Sequence, residues 1–322
     1  MAFAIGAIMD AEWTRAQAGA FLAALAVKGE TVPEIVGAAE AMRERSLHVE
    51  HALPLVVDTC GTGGDGAHTI NISTAVGFVV AGAGVPVAKH GNRAASSRCG
   101  SADVLEASGV PIGGSPDDAR LRLERDGFAF LFAQAYHPAM KEVAPVRREL
   151  GVRTVFNLLG PLSNPARATH QVVGVADDRY VAMLGEALAL LGGRAGAVVH
   201  AASGIDEISG DAPAHVYRFS PSGVVRFDID PAAFGIAASA DAIRGGEPQQ
   251  NAAALLAILE GERSPRTDVV ALNAALALLV ADRAESLGEG LALARASLQS
   301  GAALAVFEAA RRPDRPTEVA HA

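Results

Sequence analysis

Residues 58–74 read Asp-Thr-Cys-Gly-Thr-Gly-Gly-Asp-Gly-Ala-His-Thr-Ile-Asn-Ile-Ser-Thr, with four glycines, two carboxylates and five hydroxyl side chains in one short stretch. Gly61, Gly63, Gly64 and Gly66 let the main chain take up conformations closed to other residues and bring its N–H groups against an anion with no Cβ in the way. A helix beginning near Asn71 adds unpaired N–H donors and the positive end of its dipole. Asn71, Ser73 and Thr74 supply further donors. The bland alternative is a tight strand-to-helix turn with no ligand. The spacing fits neither the lysine-bearing P-loop nor the dinucleotide fingerprint, and Asp65 lies where those motifs avoid negative charge. An acid inside a phosphate loop suits a ligand with hydroxyls or a metal, such as a sugar phosphate.

Two more junctions carry chemistry. In Lys89-His90-Gly91-Asn92-Arg93-Ala94-Ala95-Ser96-Ser97 a basic pair leaves a strand end with an amide and hydroxyls, and Ser101 stands where it would cap the next helix. The set suits phosphate and sugar, against the alternative of a solvated basic loop. At 200–210 a strand ends in a loop bearing adjacent Asp206 and Glu207. Paired carboxylates of this kind hold a hard divalent cation such as Mg2+, completed by substrate phosphates and water, or form a plain acidic loop.

The elements that must position these loops alternate in period. Residues 1–48 are Ala-rich and helix-periodic, with Thr31 and Glu34 as a capping box around Pro33. From Pro54 short β-branched runs alternate with Ala/Leu helices, and the pattern predicts strands over 54–58, 85–89, 128–133, 170–176 and 195–201. The fold class expected is α/β, a mostly parallel central sheet covered on both faces beside a small all-helical domain. Residues 137–151 read as helix and 158–166 as a Pro/Gly-punctuated loop; 215–229 read as a hairpin and 251–311 as helices. The expected division is 1–50 joined by a returning segment near 137–165, and 51–136 with 166–322. Loops at neighbouring strand ends form a crevice typical of open α/β sheets.

A net charge of −9 over 322 residues, with scattered Lys and Arg, disfavours general attraction to nucleic acid or anionic lipid. The most apolar windows, near 77–88 and 269–281, fall short of a bilayer span and read as buried helices. Cys60 and Cys99 sit at no metal-ligand spacing, and no apolar leader precedes a cleavage-like site, so the expectation is a reducing, cytoplasmic setting without a structural disulfide.

The stretches from Gly61 to Thr74, from Lys89 to Gly109, from Tyr136 to Ala166 and from Gly204 to Ser209 closely resemble, in order and spacing, the motifs of the anthranilate phosphoribosyltransferases of tryptophan biosynthesis. The likeness runs from about residue 8 to residue 310. It implies a homodimer that transfers phosphoribose from 5-phosphoribosyl 1-pyrophosphate to the amine of anthranilate, with Mg2+, as two ions per subunit, as cofactor. By motif, Gly61, Gly64, Asp65, Thr69, Asn71, Ile72, Ser73, Thr74, Lys89, His90, Gly91, Asn92, Arg93, Ala94, Ala95, Ser96, Ser97 and Ser101 correspond to contacts of the phosphoribosyl substrate. Ser73, Asp206 and Glu207 correspond to metal ligands. Gly61, Asn92 and Arg147 correspond to anthranilate contacts, and His90 and His137 to its entry path. No acid/base residue is implied; activation is electrostatic, through Lys89 and the metal. Two departures stand out: Gln134 replaces a proline that is common in the family, and the chain begins late relative to typical members. The rival readings are a pyrimidine nucleoside phosphorylase-like enzyme and a non-catalytic nucleic-acid-binding relative.

Overall fold

The computed structural model describes residues 1–94 and 97–313. Three helices, Ala2–Met9, Arg15–Lys28 and Val32–Glu44, precede the first strand. The Thr31–Glu34 capping box forms: the Glu34 carboxylate accepts from the Thr31 N–H at 2.9 Å.

One seven-stranded sheet follows, made of β1 (Val57–Gly61), β2 (Val87–Gly91), β3 (Phe128–Phe132), β4 (His170–Gly174), β5 (Ala195–Ala201), β6 (Ala214–Ser220) and β7 (Gly223–Ile229). Their order is β3-β2-β1-β4-β5-β6-β7. The first five run parallel and the last two form the expected antiparallel hairpin. The direction of winding reverses between β1 and β4, which makes that pair the switch point where an open α/β sheet offers a crevice.

Three boundaries differ from the sequence pattern. The first strand does not end at Asp58: β1 continues to Gly61 because its parallel ladder with β4 pairs every residue from Val57↔His170 to Gly61↔Gly174. The segment 158–166 is not wholly loop, since a helix runs Phe156–Leu162 through Pro161. Burial of Phe156, Leu158, Leu159 and Leu162 outweighs the turn signals there. Ser101 is not a cap; it is the first helical residue of Ser101–Ala107, and its hydroxyl donates to the Asn92 carbonyl at 3.2 Å.

The largest apolar cluster lies between the sheet and the helices Ile72–Gly82 and Pro265–Val280, the latter buried from Val269 to Val280. A second cluster joins Ile5, Leu22 and Ile35 of the N-terminal helices to Val143 and Val146 of the helix Met140–Leu150, to Leu159, and to Val173 and Val198 in the sheet. The returning segment therefore packs on the first three helices. No single described helix is long and apolar enough to cross a membrane. Both cysteines are free.

Candidate functional site

The glycine loop leaves the end of β1 with φ of +61° at Gly63, +81° at Gly64 and +72° at Gly66, values that L side chains rarely adopt. The loop from the end of β5 reaches it: the Gly63 N–H donates to Asp206 Oδ2 at 3.0 Å. The approach is close enough that a Cβ on Gly61 would lie 2.6 Å from that same oxygen, and one on Gly174 would lie 1.5 Å from the Asp206 carbonyl oxygen. Glycine at the ends of β1 and β4 is what lets the acidic loop sit against the sheet.

Asp65, Asp206 and Glu207 come together, one oxygen of each within 4.8 Å of the others. Asp65, assigned from sequence to the phosphoribosyl set, thus stands with the paired acids. Burial raises the Asp206 pKa, and the Asp65 charge adds to it. Burial likewise pushes Glu207 well up, with the charges of Asp206 and Asp65 behind it. A carboxylate cluster of this sort is held apart from its own charge until a cation neutralises it. Glu207 Oε2 is buried without a hydrogen-bond partner among the described residues. An all-oxygen donor set with an orphaned carboxylate oxygen fits a hard divalent cation.

Lys89, only 1% exposed, lies near enough to this cluster to feel the charges of Asp206 and Glu207. Its ammonium donates to the Thr59 carbonyl and, at 3.2 Å, to Ser73 Oγ. Burial lowers its pKa, while the charges of Asp58, Cys60, Glu207 and Asp206 work to raise it. Asp58, also buried, accepts from the His90 N–H at 3.1 Å and so fixes β2 at the turn-out of the second loop.

Some predicted donors are committed elsewhere. Thr74 is fully buried, its hydroxyl without a hydrogen-bond partner among the described residues, and Ile72 is buried as well. Asn71 donates to the Cys99 carbonyl at 3.1 Å and accepts from Asn251 at 2.8 Å, so its amide braces the helix N-terminus. The Arg93 guanidinium pairs with Asp103 at 3.0 Å and Glu106 at 2.9 Å and lies over the Phe132 ring. Thr69 forms an isolated bridge with Arg244. The Ala94 N–H donates to Asp103 at 2.9 Å, and Ser97 is exposed. Ala95 and Ser96 lie outside the described residues. Sequence reasoning missed Arg153, which donates to the Gly63 carbonyl at 3.3 Å; nothing in its spacing marks it.

Beside the loop lies a pocket of about 630 Å³ whose lining includes Gly61, His90, Asn92, His137 and Arg147, the whole set expected on the acceptor side. Cys60 borders the pocket, half-buried. Arg147 is half-buried, burial lowers its pKa, and none of the described residues hydrogen-bonds or ion-pairs with its guanidinium. Arg148 is exposed on the other side of the turn. His90 Nδ1 faces the Gly160 carbonyl at 3.0 Å, which places its proton there, and its Nε2 then accepts from His137 Nε2 at 3.2 Å. Burial drives His90 down to about 3, helped by His137, and His137 down to about 4. Both rings are neutral walls at physiological pH.

A glycosyl transferase family helical-bundle model matches residues 1–46, and a glycosyl transferase family a/b-domain model matches residues 53–304. Anthranilate phosphoribosyltransferases of Symbiobacterium thermophilum and Thermomicrobium roseum are 52% and 53% identical over 305 and 306 residues, covering 94% of this chain and 89% and 88% of their own. The crystal structure of the Thermus thermophilus anthranilate phosphoribosyltransferase superposes with a TM-score of 0.90 at 44% identity, over 95% of this chain and 92% of that one. The Saccharomyces cerevisiae enzyme in complex with PRPP and Mg superposes at 0.87 with 28% identity, over 95% of this chain and 89% of that one. On matches that take in both its helical start and its α/β remainder, the chain belongs to the anthranilate phosphoribosyltransferase family.

Proposed function

We propose that the chain transfers the 5-phosphoribosyl group from 5-phosphoribosyl 1-pyrophosphate to the amine of anthranilate, releasing N-(5-phosphoribosyl)anthranilate and pyrophosphate in tryptophan biosynthesis. One observation carries the reading: a guanidinium with no partner among the described residues, Arg147, lines a pocket that shares Gly61 with the glycine loop and its carboxylate cluster. A cationic fork for an aromatic carboxylate thus stands next to a place for a metal-bound pyrophosphate.

Asp65, Asp206 and Glu207 would hold Mg2+ together with Ser73, whose main-chain N–H donates to Glu207 and whose hydroxyl accepts from Lys89. Two ions per subunit is the stoichiometry proposed. Bound there, Mg2+ neutralises charge that builds on the leaving pyrophosphate. The glycine-loop amides and the N-terminus of the helix Ile72–Gly82 bind the phosphates; buried Lys89 keeps Ser73 and the Thr59 carbonyl in place. Arg147 and Asn92 orient the acceptor so that its amine meets the anomeric carbon. His90 and His137, neutral, shape its path without adding charge. An aromatic amine is a modest nucleophile, so the rate comes from position and leaving-group charge more than from a strong base. The helical unit of 1–50 with 137–165 would supply Arg147 and His137, and the remainder the phosphate side. A cytoplasmic homodimer that binds neither nucleic acid nor membrane completes the proposal.

Loss of anthranilate fluorescence, followed with purified protein, phosphoribosyl pyrophosphate and Mg2+, tests this directly. For Arg147→Ala the expected outcome is a KM for anthranilate raised by about tenfold or more, with the KM for the sugar substrate little changed. A loss confined to the sugar side would mean that the two subsites are misassigned.

A further inference from the structure

We infer that Gln134 is a positioning residue for the acceptor, holding the Asn92 side chain so that it offers only N–H donors to the pocket. The inference rests on the acceptor-pocket reading above. Gly91 and Phe132 are paired ends of β2 and β3, and the chains leaving them bring Asn92 and Gln134 side by side on the pocket wall.

The orientation of the Asn92 amide follows from its partners. The Arg93 main-chain N–H, 2.8 Å away, can only donate, so the atom facing it is the Asn92 oxygen. Gln134 Nε2 donates to that same oxygen at 3.3 Å. Both lone-pair directions of Oδ1 are then filled, and Asn92 keeps its NH2 group for a ligand. The Asn92 carbonyl is occupied as well, by the Ala102 N–H at 3.1 Å and the Ser101 hydroxyl at 3.2 Å. Main chain and side chain are both pinned, and one group, Nδ2, has no hydrogen-bond partner among the described residues. That group matches an acceptor-only partner such as a carboxylate, the same chemistry that suits Arg147 across the pocket. Gln134 thereby selects for acids against neutral aromatic amines, without itself needing to touch the ligand.

The test is a double-mutant cycle on the full-length enzyme. Gln134→Leu should raise the KM for anthranilate roughly three- to tenfold, the range expected for one hydrogen bond, and change the KM for phosphoribosyl pyrophosphate distinctly less. Gln134→Glu, which sets a carboxylate against Oδ1, should be worse than Gln134→Leu, and Gln134→Lys, which keeps a donor, should recover part of the loss. In an Asn92→Ala background Gln134→Leu should have little further effect, a coupling that a purely structural role would not produce. An unchanged KM in both Gln134→Leu and Gln134→Glu, or an undiminished effect in the Asn92→Ala background, overturns the inference alone. Absence of anthranilate turnover by the wild-type enzyme overturns the acceptor reading and this inference with it.

Discussion

At the scale of single residues the site is built from groups that are unstable as they stand. Three carboxylates share one small volume, and burial and mutual repulsion raise the pKa values of Asp206 and Glu207. Replacing Asp206 by Asn and Glu207 by Gln keeps oxygen acceptors for the Gly63 N–H but removes the charge that attracts a cation. The expected outcome splits: turnover falls by roughly two orders of magnitude or more, while the thermal midpoint of the metal-free protein stays level or rises. Mg2+ alone should raise the wild-type midpoint and leave that of the double variant where it was. Steady-state rates in excess Mg2+ and melting curves with and without the ion separate these effects. Unchanged rates would refute the metal assignment.

At the scale of elements, close approach decides which glycines the fold requires. The end of β4 passes so near the acidic loop that a Cβ on Gly174 would sit 1.5 Å from the Asp206 carbonyl oxygen, which is main chain and cannot swing aside. Gly174→Ala should therefore destabilise by about 1–3 kcal/mol or more and, by displacing Asp206, weaken Mg2+ binding too. Gly19, inside the helix Arg15–Lys28, meets only Leu150 Cδ2 at 3.8 Å, so Gly19→Ala should stabilise by about 0.5–1 kcal/mol. Denaturant unfolding of the two variants measures opposite signs for the same chemical change. These elements were legible to different degrees. Strand β5 and the β6–β7 hairpin follow their β-branched alternation, and the capping box at Thr31 follows from two residue types at fixed spacing. The extension of β1 to Gly61 was hidden because its glycine is set by a neighbouring strand 113 residues away, Gly61↔Gly174. The helix through Pro161 was hidden for a similar reason: its apolar face is paid for by contacts with the N-terminal helices. The site's glycines, lysine and acids announced themselves by type, whereas the pairing of Arg93 with Asp103 and Glu106 depends on a helix packed beside it.

At the scale of the whole molecule, the buried histidines tie stability to pH. His90 and His137 lie between the sheet and the returning helices, and burial lowers them to about 3 and about 4 from an ordinary value near 6.5. In the unfolded chain they would take up protons as the pH drops below about 6.5, whereas in the folded protein they stay neutral until far lower. The unfolded state thus binds more protons throughout that window, so the stabilising contribution of these two residues is fully present above it and is lost as pH falls through it. Asp58, Asp206 and Glu207, with raised values, contribute in the opposite sense over part of the same range, so the wild-type curve alone does not isolate the histidines. The comparison that does is with His90→Gln/His137→Gln, which keeps polar side chains of similar reach and removes both titrating rings. Measured by denaturant unfolding in the absence of Mg2+, the double variant should be less stable than wild type at pH 7.5, and the gap should narrow as pH falls from 6.5 toward 4.5, by up to about 1.4 kcal/mol per pH unit for each ring. A gap that stays constant across that range would mean that the two rings take up protons in the folded protein as readily as in the unfolded chain, in place of forming a neutral wall between the acceptor pocket and the helical unit.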